Sequence, residues 1–244
     1  MSGHSKWHNI QARKGKQDAR RSGQFSKVAK AITIAAQKGG DSAMNFSLRL
    51  AIEKAKAVSM PKDNIDRAIA RGTGEDGAGV QMEEALYEAF GPGGIAVLIK
   101  TVTDNKNRTL SDVKHILSEH GGSFGSAGSV QWMFHLWGVI MVEKGNMAKA
   151  TPDPQEMEMK LIDAGVEDIQ DTESGEIEIK TKTENLKKVL YVLQSAGVEE
   201  KESGIQWIAK DTVPVSQEVE DKLGELFAAL GDNDDVEDYF TNAA

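Results

Sequence analysis

The sequence predicts an α+β protein of three domains, from three observations. Apolar residues recur at helical spacing through the first 71 positions, a glycine-rich acidic stretch follows at 72–79, and strand and helix patterns alternate in the rest. At 244 residues the chain is also longer than one typical domain. We therefore expect an N-terminal three-helix domain, a discontinuous α+β middle domain and an inserted ferredoxin-like α+β domain.

Three amphipathic segments predict the helical domain, which together with a basic arm occupies residues 1–75. The first segment runs to Ala36 and is stopped by Gly39-Gly40, and the second begins near Phe46. The third begins at Pro61, a residue suited to the first helical position, and closes at Arg71-Gly72. This third helix resembles a recognition helix, although three-helix units are common in proteins of many functions.

The middle domain is predicted from two separate stretches, 76–134 and 206–244. The first stretch contains a buried strand at 95–102, a helix from Thr109 to His120 with a capping box of Thr109 and Asp112, and a strand at 129–134. These elements do not complete a domain. The tail supplies a further strand at 206–213 and a helix through Leu230, so we expect the two stretches to fold together.

The inserted domain is predicted at residues 135–205. Its elements follow the order βαββαβ, which is the split βαβ unit of ferredoxin-like domains. The predicted strands are 136–143, 166–170, 175–181 and 198–204, and the predicted helices are 155–164 and 184–196.

Charge is divided unequally along the chain. Residues 1–71 contain 15 Lys and Arg against five Asp and Glu, a formal charge of +10, whereas the remaining 173 residues contain 14 against 33, or −19. Such an asymmetry indicates a nucleic-acid partner. The first 20 residues are too charged and too poor in aliphatic side chains to fold alone, so we expect them to be mobile until a polyanion orders them. A solubilising tail or a protein-docking arm is the alternative interpretation.

A second anion contact is predicted where the strand at 95–102 gives way to a helix. Lys106 and Arg108 stand at this helix start, where backbone N–H groups and the helix dipole favour an anion. A plain polar loop explains the same residues equally well. The full candidate set for nucleic-acid binding consists of the basic residues of the arm, the helical domain and this turn, with two aromatic residues that can stack on unpaired bases: Lys6, Trp7, His8, Arg13, Lys14, Lys16, Arg20, Arg21, Lys27, Lys30, Lys62, Arg67, Arg71, Lys106 and Arg108.

The sequence contains no recognisable pattern of catalytic or metal-binding residues, which predicts that the protein is not an enzyme. Cysteine is absent, His115 and His120 lie five residues apart on different helix faces, and the acidic residues of the inserted domain lack histidine partners. We therefore expect no catalytic residue, no metal site and no cofactor. The sequence also lacks an apolar signal segment and a run of 18 apolar residues, which predicts a soluble cytoplasmic protein without a membrane partner.

Six motifs in order strongly resemble the YebC family of bacterial regulatory proteins, whose mitochondrial relatives are translational activators of cytochrome oxidase. The matching segments are GHSKWHNI at 3–10, RKGKQDARR at 13–21, MPKDNIDRAIARGTG at 60–74, YEAFGPGG at 87–94, TDNKNRT at 103–109 and GSVQWMF at 128–134. The resemblance covers the first 134 residues closely and the remainder in layout.

The resemblance implies three domains and a cytoplasmic protein that binds DNA as a transcriptional regulator. Within the family a second view holds that members act on the ribosome and assist translation of proline-rich stretches. We take a DNA-binding transcriptional regulatory protein as the leading hypothesis, and a ribosome-associated translation factor that binds ribosomal RNA as the alternative.

Overall fold

The computed structural model describes residues 17–75, 77, 81–150, 154–172 and 174–244, and within them the protein is α+β with two antiparallel sheets. The helices are α1 Gln17–Ala36, α2 Phe46–Ala57, α3 Lys62–Thr73, α4 Lys106–Glu119, α5 Lys144–Ala150, α6 Pro154–Ala164, α7 Leu186–Ser195 and α8 Gln217–Asp232. The strands are β1 Glu83–Phe90, β2 Ala96–Thr103, β3 Ser123–Phe124, β4 Phe134–Glu143, β5 Val166–Asp171, β6 Glu176–Lys182, β7 Glu200–Ala209 and β8 Val236–Thr241.

The chain folds as two compact units. The inserted unit comprises residues 135–208, and the main unit comprises the described residues up to 134 together with residues 209–244. No helix among the described residues is both long and apolar enough to cross a bilayer.

Helices α1 to α3 of the main unit share one buried core. Ile32 of α1, Leu48 of α2 and Ile65 of α3 meet in a single apolar cluster and are almost fully buried. Asn45 caps α2, because its side chain accepts a hydrogen bond from the Leu48 amide at 3.1 Å. The apolar periods of the sequence thus pack against each other and leave the charged positions on the outside.

A close approach of backbones fixes α3 against α1. A Cβ atom on Gly72 would lie 2.3 Å from the carbonyl oxygen of Thr33 and 2.6 Å from the Cβ of Ala36. In addition, the Thr33 hydroxyl donates a hydrogen bond to the carbonyl of Ala68 at 3.2 Å. Gly72 therefore lies at the contact between the two helices, where a side chain would not fit. The sequence predicted that α3 ends at Gly72, but the helix continues to Thr73.

The main unit also contains a four-stranded sheet of order β3-β1-β2-β8. The tail strand β8 pairs with β2 in antiparallel register, with Val97 opposite Thr241. Helices α4 and α8 contribute to one apolar core with this sheet, in which the rings of Phe227 and Tyr239 stack with centroids 4.6 Å apart. The tail therefore completes the sheet that β1 and β2 begin.

The inserted unit is a four-stranded sheet with two packed helices. Its strand order is β5-β6-β4-β7, and Ile140 lies opposite Ile179 in the β4–β6 ladder. Helices α6 and α7 contact each other, and each also contacts a strand of this sheet. Leu161 and Leu193 of these helices are buried.

Several local predictions were wrong. Helix α4 begins at Lys106 and is capped by Asn105, so Thr109 lies inside the helix and forms no capping box. The predicted strand at 129–134 is mostly a 3-10 turn. The predicted strand at 206–213 does not exist as a separate element, because β7 continues to Ala209.

Other elements were missed or misplaced. No strand was predicted at β1 or β8, because both contain several acidic residues that interrupt the apolar alternation. Helix α5 was also missed. We expected residues 1–20 to be mobile. Positions 1–16 of this segment lie outside the described residues, and positions 17–20 belong to α1, which begins at Gln17.

Candidate nucleic-acid interface

An open groove lies between α1 and α3. It has a volume of about 410 Å³, with Lys30, Arg67 and Arg71 among its polar lining residues and Met60 and Met82 among its apolar ones. We call it the α1–α3 groove. The close contact at Gly72 holds the two helices together, and the groove brings together three cations that the sequence placed in the candidate set.

Helix α3 presents its arginines along one face. Arg67 and Arg71 are one helical turn apart and both are exposed. The Arg67 side chain donates to the carbonyl of Asp63 at 3.1 Å and to the side-chain oxygen of Asn64, all within α3. These bonds orient the guanidinium group without neutralising its charge.

The helical part of the main unit carries further exposed cations. Lys38, Lys54, Lys56 and Lys62 are exposed, and none of their side chains forms a hydrogen bond or ion pair with another described residue. Cations elsewhere in the chain are often paired, as Lys100 is with Glu237 at 2.8 Å and Lys144 with Asp171 at 2.7 Å. The helical part therefore offers cations whose charge is available to an external anion.

The carboxylate of Asp235 lies at the junction of α1, β2 and α4. The residue is 6% exposed, and four side-chain donors surround its carboxylate. They are Lys30 Nζ at 2.5 Å from Oδ1, and Thr109 Oγ1 at 2.7 Å, Arg108 Nη2 at 2.8 Å and Thr103 Oγ1 at 3.2 Å from Oδ2. One buried anion thus joins the helical part to the sheet of the main unit.

These contacts determine the charge state of the group. Burial raises the pKa of Asp235, but the hydrogen bonds from Lys30, Arg108 and Thr109 outweigh it and lower the pKa to about 2. Correspondingly, the hydrogen bonds to Asp235 and Asp104 raise the pKa of Arg108. Asp235 is therefore a carboxylate under all physiological conditions.

The residues of the predicted anion contact at Lys106 and Arg108 have partners within the chain. Arg108 bonds both Asp235 and Asp104, each at 2.8 Å, and Lys106 forms an ion pair with Glu83. The anion beside Arg108 at this helix start is therefore the protein's own Asp235, and a nucleic-acid contact there stays a prediction.

Lys27 lies on the same side of α1 as Lys30. It is partly buried and donates a hydrogen bond to the carbonyl of Gly231. Burial lowers the pKa of Lys27, opposed by the negative charges of Asp234, Asp232 and Asp238. Both lysines therefore contact residues 231–235, Gly-Asp-Asn-Asp-Asp. We call this segment the acidic turn.

A second internal carboxylate, that of Glu88 on β1, is bound by the end of the glycine-rich turn at 121–128 and by the residues that follow it. Glu88 accepts backbone hydrogen bonds from Gly128 and Val130, each at 2.5 Å, and from Gln131 at 2.7 Å. Burial raises the pKa of Glu88, but these three bonds lower it overall. The converging N–H groups at this turn therefore bind a carboxylate of the protein itself.

The remaining candidates divide into two sets. Lys62 is exposed at the first turn of α3. Arg20 and Arg21 lie in α1, with side chains outside the described part of the structure, and the arm candidates Lys6, Trp7, His8, Arg13, Lys14 and Lys16 lie outside the described residues altogether.

Sequence reasoning missed other residues of this region. One is Asp235, whose only signal is its place in an acidic run. Lys38, Lys54 and Lys56 were also left out of the candidate set, although the same charge count included them. Among the described residues, no group of three His, Cys, Asp or Glu side chains is arranged to hold a metal ion.

Two family models cover nearly the whole chain. The model described as TACO1/YebC protein N-terminal domain matches residues 5–75, and the model described as TACO1/YebC second and third domain matches residues 82–243. The gap between the two matches, 76–81, overlaps the glycine-rich acidic stretch at 72–79.

Relatives of known sequence and structure agree with these models. A probable transcriptional regulatory protein of Maridesulfovibrio salexigens is 47% identical over 243 residues, covering 100% of this chain and 95% of the relative. One of Thermoanaerobacter pseudethanolicus is 45% identical, covering 99% of this chain and 96% of the relative. The crystal structure of a conserved hypothetical protein from Aquifex aeolicus superposes with a TM-score of 0.81 at 38% identity, covering 95% of this chain and 93% of that one. The chain belongs to the TACO1/YebC family.

Proposed function

We propose that this protein is a regulator of gene expression that binds DNA through the α1–α3 groove, the exposed lysines of the helical part and the basic arm. The observation that carries the proposal is the convergence of Lys30, Arg67 and Arg71 on one open groove. The same helical part carries exposed lysines whose side chains have no partner among the described residues. Such a surface contacts phosphates and releases their counterions. Relatives at 45 to 47% identity are named probable transcriptional regulatory proteins, which supports a role in transcription.

The same proposal includes a three-domain organisation and a cytoplasmic location. The boundaries are 1–75 for the arm and helices, 76–134 with 206–244 for the discontinuous domain, and 135–205 for the inserted domain. The strand order β5-β6-β4-β7, with two helices packed on the sheet, supports a ferredoxin-like inserted domain. We assign no catalytic role, in keeping with the names of the relatives.

The salt dependence of binding tests the phosphate contacts. Arg67→Ala combined with Arg71→Ala removes two groove cations and should reduce the slope of log affinity against log salt by about two, one for each phosphate that is no longer neutralised. The matched control is Lys187→Ala with Lys210→Ala, which removes two exposed lysines outside the helical part. An equal effect of both pairs would show that only net charge matters and would refute the groove as the binding site.

The nature of the nucleic acid is tested in cells by crosslinking, followed by sequencing of both the DNA and the RNA attached to the protein. Enrichment of discrete promoter fragments is the expected result. Crosslinks concentrated in ribosomal RNA, with DNA at background, would overturn the transcriptional role and transfer the same cations to the ribosome.

A further inference from the structure

We propose that the acidic turn is a built-in competitor of nucleic acid, which holds Lys27 and Lys30 in contacts that a phosphate must displace. The inference rests on the proposed function, because it concerns the regulation of the same surface. It assigns a role to a segment of the tail that is distant in sequence from the basic region.

The contacts of the turn involve both lysines of α1. Lys27 Nζ donates to the carbonyl of Gly231, and Lys30 Nζ donates to the carbonyl of Asp234 at 3.0 Å and to the carboxylate of Asp235 at 2.5 Å. Lys30 also lines the α1–α3 groove. A phosphate entering the groove therefore meets a lysine whose ammonium group already has anionic and carbonyl partners.

Among the described residues, only one of the three carboxylates of the turn has bonded partners. Asp235 is buried and bonded to Thr103, Arg108 and Thr109, so it has a structural role. Asp232 and Asp234 are exposed, and neither carboxylate forms a hydrogen bond or ion pair with another described residue. Their charges act on Lys27 through space. These two groups add negative potential beside the basic surface without holding the described structure together.

The expected consequence is weaker binding to any polyanion that contacts the surface only loosely. A ligand must replace the bonds of Lys27 and Lys30 and approach two exposed carboxylates, which costs affinity. Ligands that also contact Arg67 and the cations of α2 recover this cost, whereas those that reach only α1 do not. The acidic turn thus favours extended contact over contact with α1 alone.

Neutralising the exposed carboxylates tests this directly. Asp232→Asn with Asp234→Asn in the full chain should tighten binding to a random-sequence DNA duplex by about fivefold at about 0.1 M salt, because two negative charges beside Lys27 and Lys30 are removed. The control, Asp211→Asn with Glu225→Gln, changes net charge equally at two exposed acids outside the turn. Equal affinities for the two variants would overturn the proposal.

A second set of variants isolates the competition. Lys27→Ala with Lys30→Ala should cost more affinity in the Asp232→Asn/Asp234→Asn background than in the wild type, because a phosphate approaches the two lysines more readily once the exposed carboxylates beside them are neutral. Equal costs in the two backgrounds would refute the competition while leaving the proposed function intact. If no variant and no wild-type protein binds DNA or RNA even at low salt, the proposed function itself fails.

Discussion

Replacement of Asp235 by Asn should destabilise the main unit by about 2.5 kcal/mol at pH 7. The pKa of this group is about 2 in the folded protein and 3.8 ordinarily, and each pKa unit corresponds to about 1.4 kcal/mol. Asn keeps the shape of the side chain but removes its charge. Its NH₂ group is a donor, and it replaces one of the two oxygens that accept hydrogen bonds from the surrounding donors. The loss should therefore be at least as large as the charge contribution alone.

The pH dependence has a definite sign. Because folding lowers the pKa of Asp235, its contribution is fully present above about pH 4 and is lost as pH falls through about 2. The difference in stability between wild type and Asp235→Asn should thus be constant from about pH 5 to 8. It should shrink as the pH falls from about 4 towards 2, because in this range Asp235 of the unfolded chain takes up a proton while that of the folded protein is still ionised.

The assay must report on the main unit, because a chain of two units does not have a single unfolding free energy. Pulsed hydrogen exchange of the α8 amides across a urea titration meets this need. Asp211→Asn, at an exposed residue, is the control and should change stability by less than about 0.5 kcal/mol. Equal stabilities of wild type and Asp235→Asn at pH 7 would refute the view that this carboxylate joins the helices to the sheet.

Two further changes test the packing that positions the groove and the turn. Gly72→Ala should destabilise the α1–α3 contact by about 1 to 3 kcal/mol despite the higher helix propensity of Ala, whereas Gly224→Ala, with no atom within 4 Å of its new Cβ, should be neutral or stabilising in thermal unfolding. Glu88→Gln should cost about 1 to 3 kcal/mol and accelerate hydrogen exchange at Val130 and Gln131, and unchanged exchange there would show that the backbone holds the turn without the carboxylate.

The sequence predicts the helices of the main unit well because their apolar spacing is regular. Ile32, Leu48 and Ile65 belong to periodic patterns and all lie in the helical core. Strand β8 was missed for the opposite reason: two acidic residues interrupt a short run, and only pairing with the buried β2 makes it a strand.

The sequence predicted which cations belong to the candidate site, but not the contacts that they make. Counting Lys and Arg identified Lys30, Arg67 and Arg71, because charge density is a property of the local sequence. The contacts of Asp235 were not predictable, since its donors Lys30, Thr103 and Arg108 are separated from it by 205, 132 and 127 positions. Likewise, nothing in the local sequence shows that Gly72 lies against Thr33, because that contact depends on how two helices cross.

The decisive experiment is to locate the bound nucleic acid on the protein. Full-length protein photocrosslinked to DNA and digested for mass spectrometry should give crosslinked peptides from α1 and α3, around Lys30, Arg67 and Arg71. Crosslinks confined to the inserted unit, residues 135–208, would contradict binding by the basic helices.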